Sequence, residues 1–565
     1  MDKQNIISIL EKVEQLLSIN DPDSTPFKSK YEAIELLKTN RSNIKEDDKE
    51  FLGVFDSKLG DLYISTEEIT IGLQVSTNAI KELEGYESKY TKYICKSLQN
   101  VSMVYINRND LTLGNEYLSR SESLIKESLA TVSDSVDITS TTIDDLKSLD
   151  LMNCFYLAQL YGLLKDSEKS SKYCEKTLQL QLELKKEFNI KEWCNNCLSL
   201  SSFYSENENN YDYAKQCFLA SLLIAENEQD DDVKKEIQAN VYLVMGKYFS
   251  SYFKLYYQAE KLKSAHQDKD NNYDFVTPNT TVPDNTLERL ENEKKRQKIL
   301  DSIQFNQDKY NSNPLFSQLD FTPIQSKLTQ PITLEPILDF ESARKCFLQA
   351  QHYFNKAKKY YQLDGFVTEY VNIEFDMVNL YEYLIKFETI GKRKTTMYKK
   401  RLELIEPLLQ ELNPQYFYSQ VQAIYFKCGE IYSEIAKLFE RMSANLQETS
   451  LYNNFLFKAI DNYQKYINTY DMKGVDKDEA IKNDIDTFIL AKCEIAICHK
   501  NVQGMNRLVY DHLNKSISNF KSIVELLKLP SNQDIFNRFQ DEYQLCQDML
   551  RLLPQKTKFL SDKLG

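Results

Sequence analysis

Apolar residues recur along most of the chain at the three- and four-residue intervals of an amphipathic α-helix. The segments with this period run for about 12 to 20 residues, the length of ordinary globular helices. A long chain of such helices is usually an array of repeated units. The pattern therefore predicts an all-α protein and directs attention to internal repeats.

Several windows share the arrangement of a tetratricopeptide unit, in which small residues let two helices approach and large residues fill the groove between them. Successive windows begin about 40 to 56 residues apart, which exceeds the 34-residue length of a standard tetratricopeptide unit. We therefore predict a divergent tetratricopeptide-like α-solenoid; an irregular helical bundle is the alternative. The three clearest windows are Ser102 and Tyr105 with Gly114, Leu118 and Ser121; Ala158 and Tyr161 with Ser170, Cys174 and Thr177; and Ser201 and Tyr204 with Ala214, Phe218 and Ser221.

Six of the twelve prolines lie between Pro278 and Pro336, in a stretch rich in Asn and Ser. Within it, Leu287–Leu300 has a helical pattern that is strongly charged, with too few apolar positions for a buried helix. This composition is typical of a linker that contains a polar helix. The predicted domains are an N-terminal helical-repeat half, residues 1–267, a polar linker with a charged helix, residues 268–336, and a C-terminal helical-repeat half, residues 337–565.

Composition supports the helical interpretation. The chain has only 13 glycines and 12 prolines in 565 residues, against usual frequencies of about 7% and 5%. Sandwiches, barrels and propellers need many more turn residues than this. Neither of the glycine-rich phosphate-binding motifs, GxGxxG and GxxxxGK[ST], occurs in the sequence.

The formal net charge is −14, which disfavours nucleic acid and anionic membranes as main partners. No window reaches the roughly 18 apolar residues of a membrane span, and the first residues lack the basic leader and apolar run of a signal peptide. We expect a protein without membrane insertion. The 11 cysteines, an odd number scattered singly through helical patterns, are typical of reduced thiols and favour a cytoplasmic location.

Candidate catalytic chemistry is sparse. The pair Cys194 and Cys197 forms a CxxC motif, but no second CxxC or histidine pair accompanies it, so two packed thiols are the preferred interpretation. The four histidines are widely separated, and no nucleophile–base pattern or metal-ligand set occurs. We expect no enzymatic activity, no metal and no cofactor.

Several strings of residues point to one family. Together they closely resemble the KIF-binding protein family, inhibitors of kinesin motors. The resemblance covers nearly the whole chain, is strongest over residues 338–420, and departs in the linker and the N-terminal loops. The strings are Pro26–Tyr31, Leu338–Arg344, Gln351–Tyr353, Tyr361–Thr368, Lys399–Arg401, Glu406–Leu408, Leu412–Tyr416 and Leu552–Lys556.

The resemblance implies a right-handed tetratricopeptide-like α-solenoid in two halves, whose concave face binds a kinesin motor domain and captures the helix that docks on tubulin. It implies a cytoskeleton-associated protein, expected to be monomeric when free. The motor-contacting positions of the family match Tyr156, Gln159, Gln181 and Ser199, the last by residue class only. For Tyr156 a core position is the alternative, and for the other three a solvated polar position. A general tetratricopeptide adaptor for other cytosolic partners remains the alternative function.

Overall fold

The structure is a computed structural model, and it describes residues 3–22, 25–131, 141–184, 188–264, 291–302, 315–328, 331–440, 446–472, 476–529 and 533–564. Within these residues the backbone forms helices joined by turns and loops, with no strand. The prediction of an all-α, tetratricopeptide-like chain is confirmed.

The helices are numbered here in chain order. They are α1 (Lys3–Leu17), α2 (Lys28–Arg41), α3 (Lys49–Ser65), α4 (Ile69–Glu82), α5 (Glu87–Asn107), α6 (Leu111–Thr131), α7 (Ile143–Leu163), α8 (Ser167–Leu184), α9 (Ile190–Glu206), α10 (Tyr211–Ala225), α11 (Asp231–Ser264), α12 (291–302), α13 (Thr322–Lys327), α14 (Phe340–Ala357), α15 (Val367–Phe387), α16 (Gly391–Ile405), α17 (Leu408–Glu411), α18 (Tyr418–Glu440), α19 (Leu446–Asn468), α20 (Lys477–Asn483), α21 (Ile485–Lys500), α22 (Asn506–Leu527), α23 (Gln533–Arg538) and α24 (Gln540–Leu564). A short 3₁₀ turn, Thr469–Asp471, follows α19.

Consecutive helices pack in pairs at the small residues that the sequence pattern singled out. In each of three pairs a serine hydroxyl donates a hydrogen bond of 2.8 Å to the backbone carbonyl of the small residue on the facing helix. Such a bond requires the two backbones to lie unusually close, which a large side chain at either position would prevent. The three bonds are Ser102 to Gly114 between α5 and α6, Ser170 to Ala158 between α7 and α8, and Ser201 to Ala214 between α9 and α10.

The turn inside each of these pairs repeats one backbone conformation, with a single residue in the left-handed region. In the α7–α8 turn this residue is Lys165, with a φ of 60°. The next amide, of Asp166, donates to the carbonyl of Tyr161 at 2.9 Å and so ends α7. The Asp166 carboxylate then accepts from the amide of Lys169 at 3.1 Å, which begins α8. The α5–α6 and α9–α10 turns place Asn109 and Asn209 at φ values of 62° and 52°, and the α3–α4 turn places Glu67 at 67°.

The tyrosine that ends each first helix meets an aromatic ring of the second helix. Tyr105 stacks on Tyr117 with ring centroids 5.9 Å apart, and Tyr161 stacks on Tyr173 at 5.7 Å. In the α9–α10 pair Tyr204 meets Tyr213 edge to face at 5.4 Å. Such pairs stabilise beyond the area they bury, so the aromatic position of the predicted unit packs the two helices together beside the turn that connects them.

The described residues divide into two compact units. Those within Met1–Tyr204, Tyr213–Ile237 and Asn313–Ser326 form unit 1, and those within Ser205–Asp212, Gln238–Ser312 and Lys327–Gly565 form unit 2. The predicted domain limits, 1–267, 268–336 and 337–565, stay a prediction, since most of residues 268–314 lies outside the described part of the chain.

Unit 1 includes an anchor from the stretch predicted as linker. Leu315 and Phe316 are buried, and the Phe316 ring lies 5.8 Å from that of Trp193 at the start of α9. The amide nitrogen of Gln179 donates to the carbonyl of Leu315 at 2.6 Å, and the backbone amide of Leu315 donates to the side-chain oxygen of Gln216 at 2.6 Å. Two apolar residues with two backbone bonds thus fix this segment to α8, α9 and α10.

Unit 2 continues the helix pairs, with α15 on α16, α18 on α19 and α21 on α22. Gly429 of α18 lies under the ring of Tyr463 of α19, where an added Cβ would come within 2.8 Å of the ring. The helical path breaks at Glu406–Pro407, where α16 ends at Ile405 and α17 begins after Pro407, because a proline cannot continue the preceding helix.

The predicted charged helix is present in unit 2 as α12. Most of its residues are exposed, and it carries ion pairs along its own surface. Lys295 lies 2.9 Å from Glu291, and Arg296 lies 2.9 Å from Glu293. A helix held by such pairs needs little apolar burial. Residues 287–290 of the predicted segment lie outside the described residues.

The left-handed turn residue gives a prediction about stability. Lys165→Gly should raise the free energy of unfolding by about 0.5–1 kcal/mol, because glycine adopts a positive φ without the steric cost that a Cβ imposes. Urea unfolding of wild type and variant measures this. Lys165→Ala is the matched control, since alanine keeps the Cβ and should give no gain. An equal gain in both variants would contradict the explanation.

Candidate functional site

The first helices of the pairs in unit 1 share one partly exposed face. On α7 a stripe of less-buried residues runs through Met152, Tyr156, Gln159 and Leu163, at helical spacing and away from Ala158, which contacts α8. Helix α3 packs on α5, and α5 packs on α7, so the corresponding stripes lie side by side. We call the stripes of α3, α5, α7 and α9 the first-helix face of unit 1.

Gln159 is one of the two exposed residues among the four predicted site residues. Its side chain is exposed, and it makes no hydrogen bond to another described residue. Met152 and Leu163, one on each side of it along the stripe, are apolar and 37% and 56% exposed. An amide that can both donate and accept therefore stands between two apolar side chains. This combination suits contact with an amphipathic partner better than contact with water.

Tyr156 lies at the boundary between the protein core and the exposed stripe of α7. Its ring is half-buried, lies edge to face 5.8 Å from Phe155, and packs against the small core formed around Leu157 and Leu160. Burial raises the pKa of its hydroxyl, and the nearby charges of Lys96 and Asp61 act on it in opposite directions. Tyr156 thus supports the packing of α7 and also borders the first-helix face of unit 1.

The charges on this face are paired within the protein. Lys96 of α5 lies 3.0 Å from the carboxylate of Asp61 of α3, and the amide of Asn100 donates to the same carboxylate at 3.2 Å. About one turn before Lys96 on α5, Lys92 pairs with Asp145 of α7 at 3.4 Å. The charges of the α3 and α5 stripes are therefore neutralised by ion pairs within the protein. The α7 stripe from Met152 to Leu163, in contrast, consists of neutral side chains.

Ser199 lies on the α9 stripe at the position equivalent to Tyr156 on α7. Each comes two residues before the small residue that contacts the second helix, Ser201 on α9 and Ala158 on α7. Ser199 is exposed, and its hydroxyl donates to the carbonyl of Asn195 in its own helix at 3.0 Å. Its hydrogen is thus used internally, and its lone pairs remain for a partner.

Gln181 lies elsewhere, in the last turn of the second helix α8, and is half-buried. The pair Lys147 and Glu183, 3.6 Å apart, shows that the end of α8 meets the beginning of α7. Gln181 is therefore displaced from Gln159 by roughly 16 Å along the helix axes. Tyr156 and Gln159 thus lie on one stripe of α7, Ser199 lies at the equivalent position of α9, and Gln181 lies apart on α8; whether any of the four contacts a partner stays a prediction.

The sequence analysis missed Met152 and Leu163. Their signal was available, since they flank Gln159 at offsets of seven and four residues on one helix face. The spacing alone does not distinguish them as surface residues, because apolar residues at helical spacing usually belong to the core.

Other candidate chemistry stays structural. Cys194 and Cys197 of the CxxC motif are both buried, and burial raises the pKa of the Cys194 thiol. His499 and His512 share a hydrogen bond of 2.8 Å between their Nδ1 atoms, with no third ligand beside them. Across the described ranges, no three His, Cys, Asp or Glu side chains converge to hold a metal ion. Within the same ranges, no helix has the length and apolar content needed to cross a membrane.

The chain is similar to kinesin-binding proteins both in sequence and in fold. Residues 191–560 match a family described as KIF-1 binding protein C terminal. A KIF-binding protein of Dictyostelium discoideum is 42% identical, with 98% of this chain and 97% of that protein aligned, and one of Homo sapiens is 24% identical, with 91% and 85% aligned. A solved structure of kinesin binding protein superposes with a TM-score of 0.62 at 20% identity, covering 98% of this chain and 99% of the other.

The two neighbouring side chains of α7 should respond differently to truncation. Tyr156→Ala should lower the free energy of unfolding by about 2–3 kcal/mol, because a half-buried ring loses its packing. Gln159→Ala should change it by less than about 0.5 kcal/mol, because the residue is exposed and makes no internal bond. Urea unfolding of both variants provides the measurement. Equal, small effects would show that Tyr156 does not support α7.

Proposed function

The chain belongs to the KIF-binding protein family, and we propose that it binds the motor domain of a kinesin through the concave side of its helix pairs. Bound in this way, the motor helix that docks on tubulin is covered, and the motor cannot attach to a microtubule. The protein thereby regulates kinesin-driven transport by binding and without catalysis.

Family membership supports the choice of partner. The relatives that align with nearly all of this chain carry kinesin binding in their names. The alignment with the Dictyostelium protein runs through both units and leaves no large part of either chain unmatched. A partner that engages the common helical framework is therefore favoured over one that engages an addition peculiar to this chain.

The first-helix face of unit 1 is the observation that carries the proposal. It presents Gln159 between the exposed apolar side chains of Met152 and Leu163. An amphipathic helix laid on stacked helices is recognised by apolar anchors at helical spacing and by a few polar contacts that set its register. We place Tyr156, Gln159 and Ser199 in this contact, and Gln181 at its margin on α8.

Charge supports the same partner. The microtubule-facing surface of a kinesin must be basic, because tubulin is acidic. A protein of formal charge −14 complements such a surface, which mainly speeds association and orients the two proteins. We further propose that the free protein is a monomer in the cytoplasm, that it becomes cytoskeleton-associated through its kinesin, and that residues 268–336 link two halves, 1–267 and 337–565.

Microtubule co-sedimentation tests the proposed function. Pull-down from a lysate, with mass spectrometry, identifies the bound kinesin, and its purified motor domain is then mixed with microtubules and increasing amounts of this protein. The motor fraction in the pellet should fall in proportion to the protein added. A motor that pellets equally well at a large excess of the protein would overturn the proposal.

Substitution on the first-helix face of unit 1 should weaken this effect. Gln159→Ala combined with Leu163→Ala should reduce motor affinity about tenfold, since a polar contact and an apolar contact are lost together. Affinity is measured by fluorescence anisotropy of the labelled motor domain. Gln544→Ala, at an exposed glutamine of α24, is the control and should bind as wild type does. Equal binding by all three proteins would place the interface elsewhere.

A further inference from the structure

The Leu315–Phe316 anchor enters unit 1 from a part of the chain that otherwise lies outside it. The described residues that precede and follow the segment, 291–302 and 327–328, belong to unit 2. Leu315 and Phe316 are 4% and 1% exposed, whereas the next two residues, Ser317 and Gln318, are exposed. Unit 1 therefore holds a short incoming segment mainly by two adjacent apolar side chains.

Side-chain amides of two second helices bind both backbone polar groups of Leu315. Its carbonyl accepts from Gln179 of α8, and its amide donates to Gln216 of α10, both at 2.6 Å. The segment then turns, with the amide of Leu319 donating to the carbonyl of Phe316 at 3.1 Å. Because every residue except proline offers the same backbone groups, these two bonds hold a peptide without reading its sequence.

The Gln179 donor is positioned by residues that do not belong to the anchor. The nitrogen of its side chain also donates to the carboxylate of Glu175, one turn earlier on α8, at 3.4 Å. The other oxygen of that carboxylate accepts from the Tyr204 hydroxyl of α9 at 2.6 Å. Helices α8 and α9 thus direct the amide towards Leu315, in a network that strengthens each of its bonds.

The surface that receives Phe316 is likewise built by the helices. The ring of Trp193 lies 5.8 Å from that of Phe316 and 6.0 Å from that of Phe188. The indole nitrogen of Trp193 donates to the carbonyl of Leu178 on α8 at 3.4 Å, which fixes the ring on the helices. An aromatic side chain placed on this ring gains more than the area it buries.

The helix pairs of unit 1 do not depend on the anchor. Between residues 315 and 326 only three side chains are buried, those of Leu315, Phe316 and Ile324. The crossing of α9 and α10 is made by the hydrogen bond from Ser201 to Ala214, to which the anchor contributes nothing. A segment with few buried contacts opens at a lower free energy than the core beneath it.

We propose that α8, α9 and α10 form a binding site for a peptide segment of a partner protein, and that the Leu315–Phe316 anchor is its resident occupant. The partner segment has two consecutive apolar residues, the second aromatic, followed by a turn, because this is the chemistry that the site holds in the free protein. Anchor and partner exclude each other. A tethered occupant is present at an effective concentration of the order of millimolar, so the partner must bind more tightly than the anchor does.

Competition by an added peptide tests the inference. The probe is an acetylated, fluorescein-labelled peptide of residues 315–326, whose binding is followed by fluorescence anisotropy. Leu315→Ala combined with Phe316→Ala empties the site in the full chain, and this variant should bind the peptide at least tenfold more tightly than wild type does. Ser317→Ala combined with Gln318→Ala, at exposed positions of the same segment, leaves the site occupied and should bind it as wild type does.

Two further comparisons examine the contacts one by one. Adding Gln179→Ala to the emptied variant should weaken peptide binding about fivefold, because one hydrogen bond to the peptide backbone is lost. The peptide carrying Leu315→Asp and Phe316→Asp should not bind the emptied variant, because an ionised side chain cannot enter an apolar site.

Hydrogen exchange of the wild-type chain supplies a measurement that does not require the emptied variant to fold. An excess of the peptide, isotope-labelled so that mass spectrometry distinguishes it from the chain, should raise deuterium uptake at residues 315–326, and the peptide with the two aspartates should not. Unchanged uptake at millimolar peptide, or a folded emptied variant that binds no peptide, would overturn the inference. No kinesin takes part, so the outcome is independent of the proposed function.

Discussion

Two helices can lie as close as those of each pair only where neither carries a large side chain at their crossing. Here the crossing is fixed by a serine hydroxyl bonded to the facing backbone carbonyl, as between Ser170 and Ala158. That bond satisfies a polar group that would otherwise be buried without a partner, so the small residue and its hydrogen bond act together. The tyrosine stacking, the left-handed turn and the exposed stripe on the far side of the first helix all take their positions from this contact.

Because the crossing settles which side of a helix is buried, it also decides which side is left for a partner. On α7 the far side presents Gln159 between the exposed apolar side chains of Met152 and Leu163. This arrangement does not benefit the free protein, since apolar surface stays in water. A bound protein that covers this surface would remove the cost.

The helix pairs could be predicted from the sequence because the residues that determine them are close together in sequence and recur at fixed intervals. Small and aromatic residues at fixed offsets identified Ser102, Ala158 and Ser201 as crossing points without any knowledge of long-range contacts. The Leu315–Phe316 anchor carried no such signal, because two apolar residues between polar ones have no period. The position of Gln181 apart from Gln159 had no local signal either, because the antiparallel packing of α8 on α7 decides it.

The anchor has a consequence for the integrity of the chain. Phe316 lies within the proline-rich stretch in sequence, yet it completes the core around Trp193, and the polypeptide alternates between the units several times. A single cleavage in the stretch between Ser264 and residue 291 would therefore not release two independent domains. The downstream fragment would keep its hold on the upstream one through this aromatic contact, so the nicked protein should behave as a non-covalent heterodimer of its own fragments.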